Sequence, residues 1–158
     1  MKIMIGSDHH GIEMRLNLGR IVTLLGHEVL DFGPTTEKPE SVDYPDVAAP
    51  IARAVSNREV DRGILICGTG IGMSIVANKF RGVRAAPVVD VFSAELSRRH
   101  NNLNVLCLSG DMLSEVMIND VVNTWLKTDF SEETRHVRRL KRIAEIEEDQ
   151  IVKNKMKD

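Results

Sequence analysis

Residues 64–79, ILICGTGIGMSIVANK, run three apolar residues into Cys67, then three glycines in five positions, then a stretch with helical spacing. A continuous apolar run such as GILIC, 63–67, has no polar face to turn to water, which marks a strand covered on both sides of its sheet. With a helix directly after it, the segment reads as half of a βα unit, and the rest of the chain repeats that unit. KIMIG (2–6) is a first strand, and 12–25 sets Ile12, Leu16, Ile21 and Leu24 on or near one helical stripe, with Gly26 as its C-terminal cap. HEVLDFG (27–33) is a second strand, 34–45 a loop by its prolines, threonines and acidic residues, and 46–57 a helix. Strands over 62–68, 83–88 and 104–110 alternate with helices over 69–79 and 93–99, and helices over 113–127 and 132–153 follow. Strict alternation of this kind implies a parallel sheet with crossover helices. The expected fold is α/β, a Rossmann-like three-layer αβα sandwich with a five-stranded parallel sheet and a C-terminal helix. One domain is expected over 1–158, with 149–158 a helical tail that frays.

Composition narrows the function classes. A chain of 158 residues with a formal charge of -2 gives no reason to expect nucleic acid or an anionic membrane, so small ligands are the expected partners. No apolar run approaches the roughly 18 residues of a membrane span. Cys67 and Cys107 show no CxxC spacing, and Met1 leads straight into a strand without a secretory leader, so free thiols in a reducing cytoplasm are expected.

In sheets of this class ligands bind beyond the carboxyl ends of the strands. The exits GSDHHG (6–11), CGTGIG (67–72) and LSGD (108–111), with RRHNN (98–102) before the fifth strand, are therefore the places to search. At the third exit, glycine-rich backbone and a helix start favour an anion. A dinucleotide fingerprint would need a third glycine where Met73 stands, a Walker loop needs Gly-Lys-Ser/Thr, and a cysteine phosphatase needs an arginine again at Met73. What is left is a thiol at the positive end of a helix, a setting that favours thiolate, beside an anion hole. That pairing suits proton abstraction next to a carbonyl. The plainer alternative is that Cys67 packs as a small hydrophobe, as Cys107 does inside NVLCL. Thr69 adds a hydroxyl, or caps the following helix.

Asp8, His9 and His10 form a possible metal-dependent phosphoesterase site, although the third exit lacks the carboxylates such a site needs. Otherwise Asp8 caps a helix and His10 is merely exposed. His100 can exchange a proton near neutrality and Asn101 can bind hydroxyls. Arg135, Arg138, Arg139 and Arg142 share one helical face, either to grip a phosphate or to pair with Glu132, Glu145 or Glu147.

GSDHHG, DYPD, GILICGTGIGMSIVANKF, SRRHNNLNVL and RHVRR together resemble the ribose-5-phosphate isomerase B family, which includes the galactose-6-phosphate isomerase subunits. The resemblance covers about residues 1–148. It implies a homodimer, or a dimer of dimers, that interconverts aldose and ketose phosphates through a cis-enediolate without metal or cofactor. Carried over by position, Cys67 is the base, assisted by Thr69, and the backbone of Gly68, Thr69, Gly70, Ile71 and Gly72 is the anion hole. His100 opens the furanose ring with Tyr44 close by, Asp8 and Asn101 hold hydroxyls, and His9, Arg135 and Arg139 bind the phosphate across the dimer interface.

The chain also departs from that family. Asp111 stands where members often carry an arginine for the phosphate, and His10 where a small residue is usual. Either Arg138 or Arg15 compensates, or the loop takes another path, or the substrate differs. Alternatives to ribose 5-phosphate are therefore a hexose 6-phosphate or a sugar-phosphate-binding role without turnover.

Overall fold

The computed structural model describes residues 1–35 and 41–155, with side chains to residue 152. Part of the expected 34–45 loop and the last residues of the tail lie outside them. In chain order the elements are β1 (Lys2–Ser7), α1 (Ile12–Leu24), β2 (Glu28–Phe32), α2 (Tyr44–Ser56), β3 (Arg62–Cys67) and α3 (Ile71–Ala77). They continue with β4 (Ala85–Pro87), α4 (Val91–Asn101), β5 (Val105–Ser109), α5 (Glu115–Lys127) and α6 (Thr134–Lys155). The sheet is parallel throughout, in the order β2-β1-β3-β5-β4. This is the Rossmann-like α/β sandwich read from the sequence.

Side-chain alternation along the strands divides the core into two layers. Ile3, Ile5, Ile64, Ile66, Leu106 and Leu108 pack against α1, α4 and α5, with Trp125 fully buried among them. Leu65, Cys67, Val105 and Cys107 face the other way, against α2 and α3. Cys107 has no exposure, and burial first, then neighbouring Cys67, pushes its thiol far above the ordinary value, which suits a packed hydrophobe.

The expected stripe on α1 is displaced. Its buried residues are Ile12, Arg15, Leu18 and Val22, whereas Leu24 is 86 % exposed. Arg15 is 1 % exposed because it ties the end of β2 to β1. Its guanidinium pairs with Asp31 at 2.8 Å and donates to Ser7 Oγ, Phe32 O and Pro34 O. An arginine so engaged is not free to bind phosphate, which removes Arg15 as a substitute for the arginine that Asp111 displaces.

At the far edge of the sheet β4 is three residues, shorter than the expected 83–88. The Asn78 side chain donates to Ala85 O and accepts from Ala85 N, standing in for a neighbouring strand and blunting the open edge. Along the amino edge, Arg98 donates to Leu103 O and Thr128 O, which fixes where α4 ends. Ser131 N donates to Arg99 O, so the approach to α6 is tied to that same point. Further along α6, Glu147 accepts the Gly82 N–H at 2.9 Å and Glu148 pairs with Arg81, so the helix follows this edge of the sheet. The expected helix over 132–153 is observed from Thr134 to Lys155, so the 149–158 tail is helical as far as it is described.

Candidate active site

β1 is flanked by β2 on one side and β3 on the other, so the chain leaves β1 and β3 in opposite directions and a crevice opens at their carboxyl ends. A cleft of about 300 Å³ lies there, lined by Asp8, His9 and His10 from β1's exit and Cys67, Gly68 and Thr69 from β3's. Val42, Asp43, Tyr44 and Gly72 complete it. Pro45 in the first turn of α2 lets that helix start at Tyr44, two residues earlier than expected, and this brings the phenol to the cleft. The ring lies on Gly72, where an added Cβ would come within 2.8 Å of it.

Cys67 is the last residue of β3 and 5 % exposed. Its Sγ accepts the backbone N–H of Gly70 at 3.1 Å, a bond stronger to thiolate than to thiol. Gly70 takes a left-handed φ of +75°, which turns the loop back over the sulfur, and it precedes α3 as the N-cap. Thr69 was expected to cap. Its Oγ1 does accept the Ile71 N–H at 3.3 Å, one residue further out than a cap. α3 itself spans seven residues where 69–79 was expected, so the donors at this exit belong to the loop more than to a helix dipole.

The three exits are stitched together. Asp8 N donates to Ile66 O at 3.1 Å, Gly110 N to Cys67 O at 2.8 Å, and Ser109 Oγ to Gly68 O at 2.6 Å. Asp8, 5 % exposed, accepts the His10 N–H at 2.9 Å and does not cap α1, whose N-cap is Gly11. His9 Nδ1 accepts from Val42 N at 3.4 Å. His10, expected to be merely exposed, pairs through Nδ1 with Asp111 Oδ1 at 3.1 Å. The Asp111 carboxylate also lies against Gly68, where a Cβ would meet its Oδ2 at 2.8 Å. Among the described residues no three His, Cys, Asp or Glu side chains are grouped to hold a metal ion.

His100 and Asn101 are elsewhere. Both end α4, which runs back from the carboxyl edge, so they lie at the amino edge of the sheet. Strands of this length span about 17–20 Å, which separates the two residues from Cys67 and Tyr44 of the same chain. They have other company. The His100 ring stacks on that of His136, centroids 4.3 Å apart and planes 9° from parallel. Beside it, Arg135 pairs with Glu133 at 2.9 Å, and further along α6 Arg142 pairs with Glu145 at 3.0 Å, while Arg138 and Arg139 form no ion pair among the described residues. Glu147 accepts the Gly82 N–H and forms no ion pair with the α6 arginines among the described residues. One chain thus holds two groups of polar residues, one at each edge of the sheet. The sequence reading gave His136 no role and did not bring His10 and Asp111 together. Only the adjacency of His136 to Arg135 could have drawn attention to it.

A family model described as Ribose/Galactose Isomerase matches residues 3–143. The chain is 42% identical over 147 residues to ribose-5-phosphate isomerase B of Escherichia coli, covering 93% of this chain and 97% of that one. It is 38% identical over 132 residues to D-erythrulose-4-phosphate isomerase of Pectobacterium atrosepticum, covering 82% and 85% respectively. The solved structure of ribose-5-phosphate isomerase B from Clostridium thermocellum superimposes with a TM-score of 0.89 at 45% identity, covering 95% of this chain and 99% of that one.

Proposed function

The chain belongs to the ribose/galactose isomerase family, and we propose that within it this enzyme interconverts ribose 5-phosphate and ribulose 5-phosphate through a cis-enediolate, with Cys67 as the base. The observation that carries this reading is the Gly70 N–H aimed at the Cys67 sulfur in the cleft where the exits of β1 and β3 meet. A thiolate held there can take the proton from C2 and return it to C1 while the hydroxyl proton passes from O2 to O1, which moves the carbonyl from C1 to C2 with no net gain or loss of electrons. The Thr69 hydroxyl stands beside it, and amides of the Gly68–Gly72 loop supply donors for the enediolate oxygen as its charge develops. The chain's own residues perform each of these steps, so none calls for a metal or a cofactor.

Cyclic substrate must first be opened, which needs an acid–base group at the ring oxygen. His100 has the chemistry, with Asn101 to hold hydroxyls and Arg135 and Arg139 to hold phosphate, yet these lie at the wrong edge of their own sheet. A second copy that sets its amino edge against this cleft brings them together, with His9, Tyr44 and Asp8 contributed from the first. Ile71 and Ile75, one turn apart on α3 and each more than half exposed, give the cleft an apolar border suited to such a partner. The homodimer is therefore the functional unit in this reading.

The His10–Asp111 pair favours a second reading of the substrate alone. Its carboxylate is beside Gly68, and an anion there repels a phosphate dianion. An isomerase acting on another sugar phosphate, with its charged end away from this loop, fits the same chemistry.

The test is turnover of ribose 5-phosphate, allose 6-phosphate and galactose 6-phosphate by the wild-type protein and by C67A. Loss of about 10²- to 10⁴-fold in kcat with an unchanged melting curve is expected for removal of the base. Unchanged kcat in C67A removes Cys67 from the mechanism, and turnover confined to a hexose moves the substrate.

A further inference from the structure

If His100 is the acid–base group for ring opening, as the preceding reading holds, its neighbour needs an explanation. His136 is 2 % exposed, and neither of its ring nitrogens has a hydrogen-bond partner among the described residues. The nearest carboxylate, Glu133, is 3.9 Å from Nε2. Leaving two polar atoms buried and unpaired is costly, and a leucine would fill the space without that cost. The imidazole must therefore offer something that bulk alone does not.

The groups that face it narrow what that is. His100 reaches it from α4, and Glu133, Arg135 and Arg139 surround it at the start of α6. Burial, then His100 and the arginines, hold His136 below its ordinary value, with only Glu133 opposing them. A ring held toward its neutral form, with no hydrogen bond among the described residues, retains one useful feature, its flat face. That face is 4.3 Å from the His100 ring and 9° from parallel to it. Such a stack fixes the plane in which His100 presents its nitrogens, and a π face tolerates the imidazolium that forms when His100 takes a proton.

We propose that His136 is a positioning residue for His100, holding that ring by its aromatic face in the orientation that ring opening requires. The role belongs to the face and not to the nitrogens, which makes it separable by substitution. H136F keeps a flat ring, and H136L keeps apolar bulk without one. Both remove the unpaired buried atoms, so both are expected to melt no earlier than wild type.

Kinetics with ribose 5-phosphate decide. H136F is expected within about threefold of wild-type kcat/KM, and H136L about 10- to 100-fold lower, as for a misplaced catalytic group. The loss should fall in kcat with KM little changed, since Arg135 and Arg139 remain. Full activity in H136L overturns the proposal, and so does an H136F protein as impaired as H136L, folded or not. H100Q, run alongside, separates the two readings. Full activity in H100Q removes the His100 role itself, whereas loss in H100Q with none in H136L removes only the role of His136.

Discussion

The N–H of Gly70 meets the sulfur of Cys67 at 3.1 Å because Gly70 holds a φ of +75°, a conformation that L side chains rarely adopt. Behind it the space is closed, since a Cβ at Gly70 would lie 3.2 Å from the backbone of Leu108 in β5. Conformation and crowding thus both tie the donor to glycine.

Gly70→Ala is accordingly expected to lose about 1–3 kcal/mol of stability from the strained backbone. As β5 is central to the sheet and cannot yield, the loop moves, and kcat should fall about 10²-fold from the displaced donor. Denaturant titration and steady-state rates read the two effects separately.

Asp111→Asn tests whether the carboxylate beside Gly68 opposes the substrate's charge. Because Asp111 is about half exposed, the screened repulsion is worth about 1 kcal/mol, so KM for ribose 5-phosphate should fall roughly fivefold. The gain should shrink as salt rises. An unchanged KM at low salt means that the phosphate lies away from this loop.

Stability should carry a histidine signature in its dependence on pH. The folded chain holds His136 below its ordinary value of 6.5, chiefly by burial, so the unfolded chain binds the proton first as pH falls. The contribution is complete above about pH 6.5 and is lost as pH drops through the lowered value. His27, also lowered by burial, acts in the same window, so H136F should flatten part of the slope. Asp90, held below 3.8 by the Ser93 amide, loses its contribution only at lower pH. Thermal melts of wild type and H136F between pH 5 and 8 provide the comparison.

The strands and their exits were legible because side-chain period and glycine placement are local properties. Asp8, His9, Cys67 and Thr69 reach the cleft simply by following strand ends. What was hidden depended on distant partners. Arg15 reads as polar face until its acceptors at Ser7, Phe32 and Pro34 are known, so the α1 stripe was misplaced toward Leu24. His10 and Asp111 are 101 positions apart, and no local pattern announces that they meet. Tyr44 falls in a helix and not a loop because Pro45 suits a first turn. The separation of His100 from Cys67 needed the strand order as well as the strands.

That separation has a consequence for mixtures. A chain disabled at one edge of its sheet is intact at the other. When two copies pair about a two-fold axis with shared sites, a C67A subunit joined to an H100Q subunit has one site with both defects and one with neither. Refolding the two inactive proteins together should then return about a quarter of wild-type turnover, since half the dimers are mixed and each has one sound site. A lone chain carrying both groups in one site would return none.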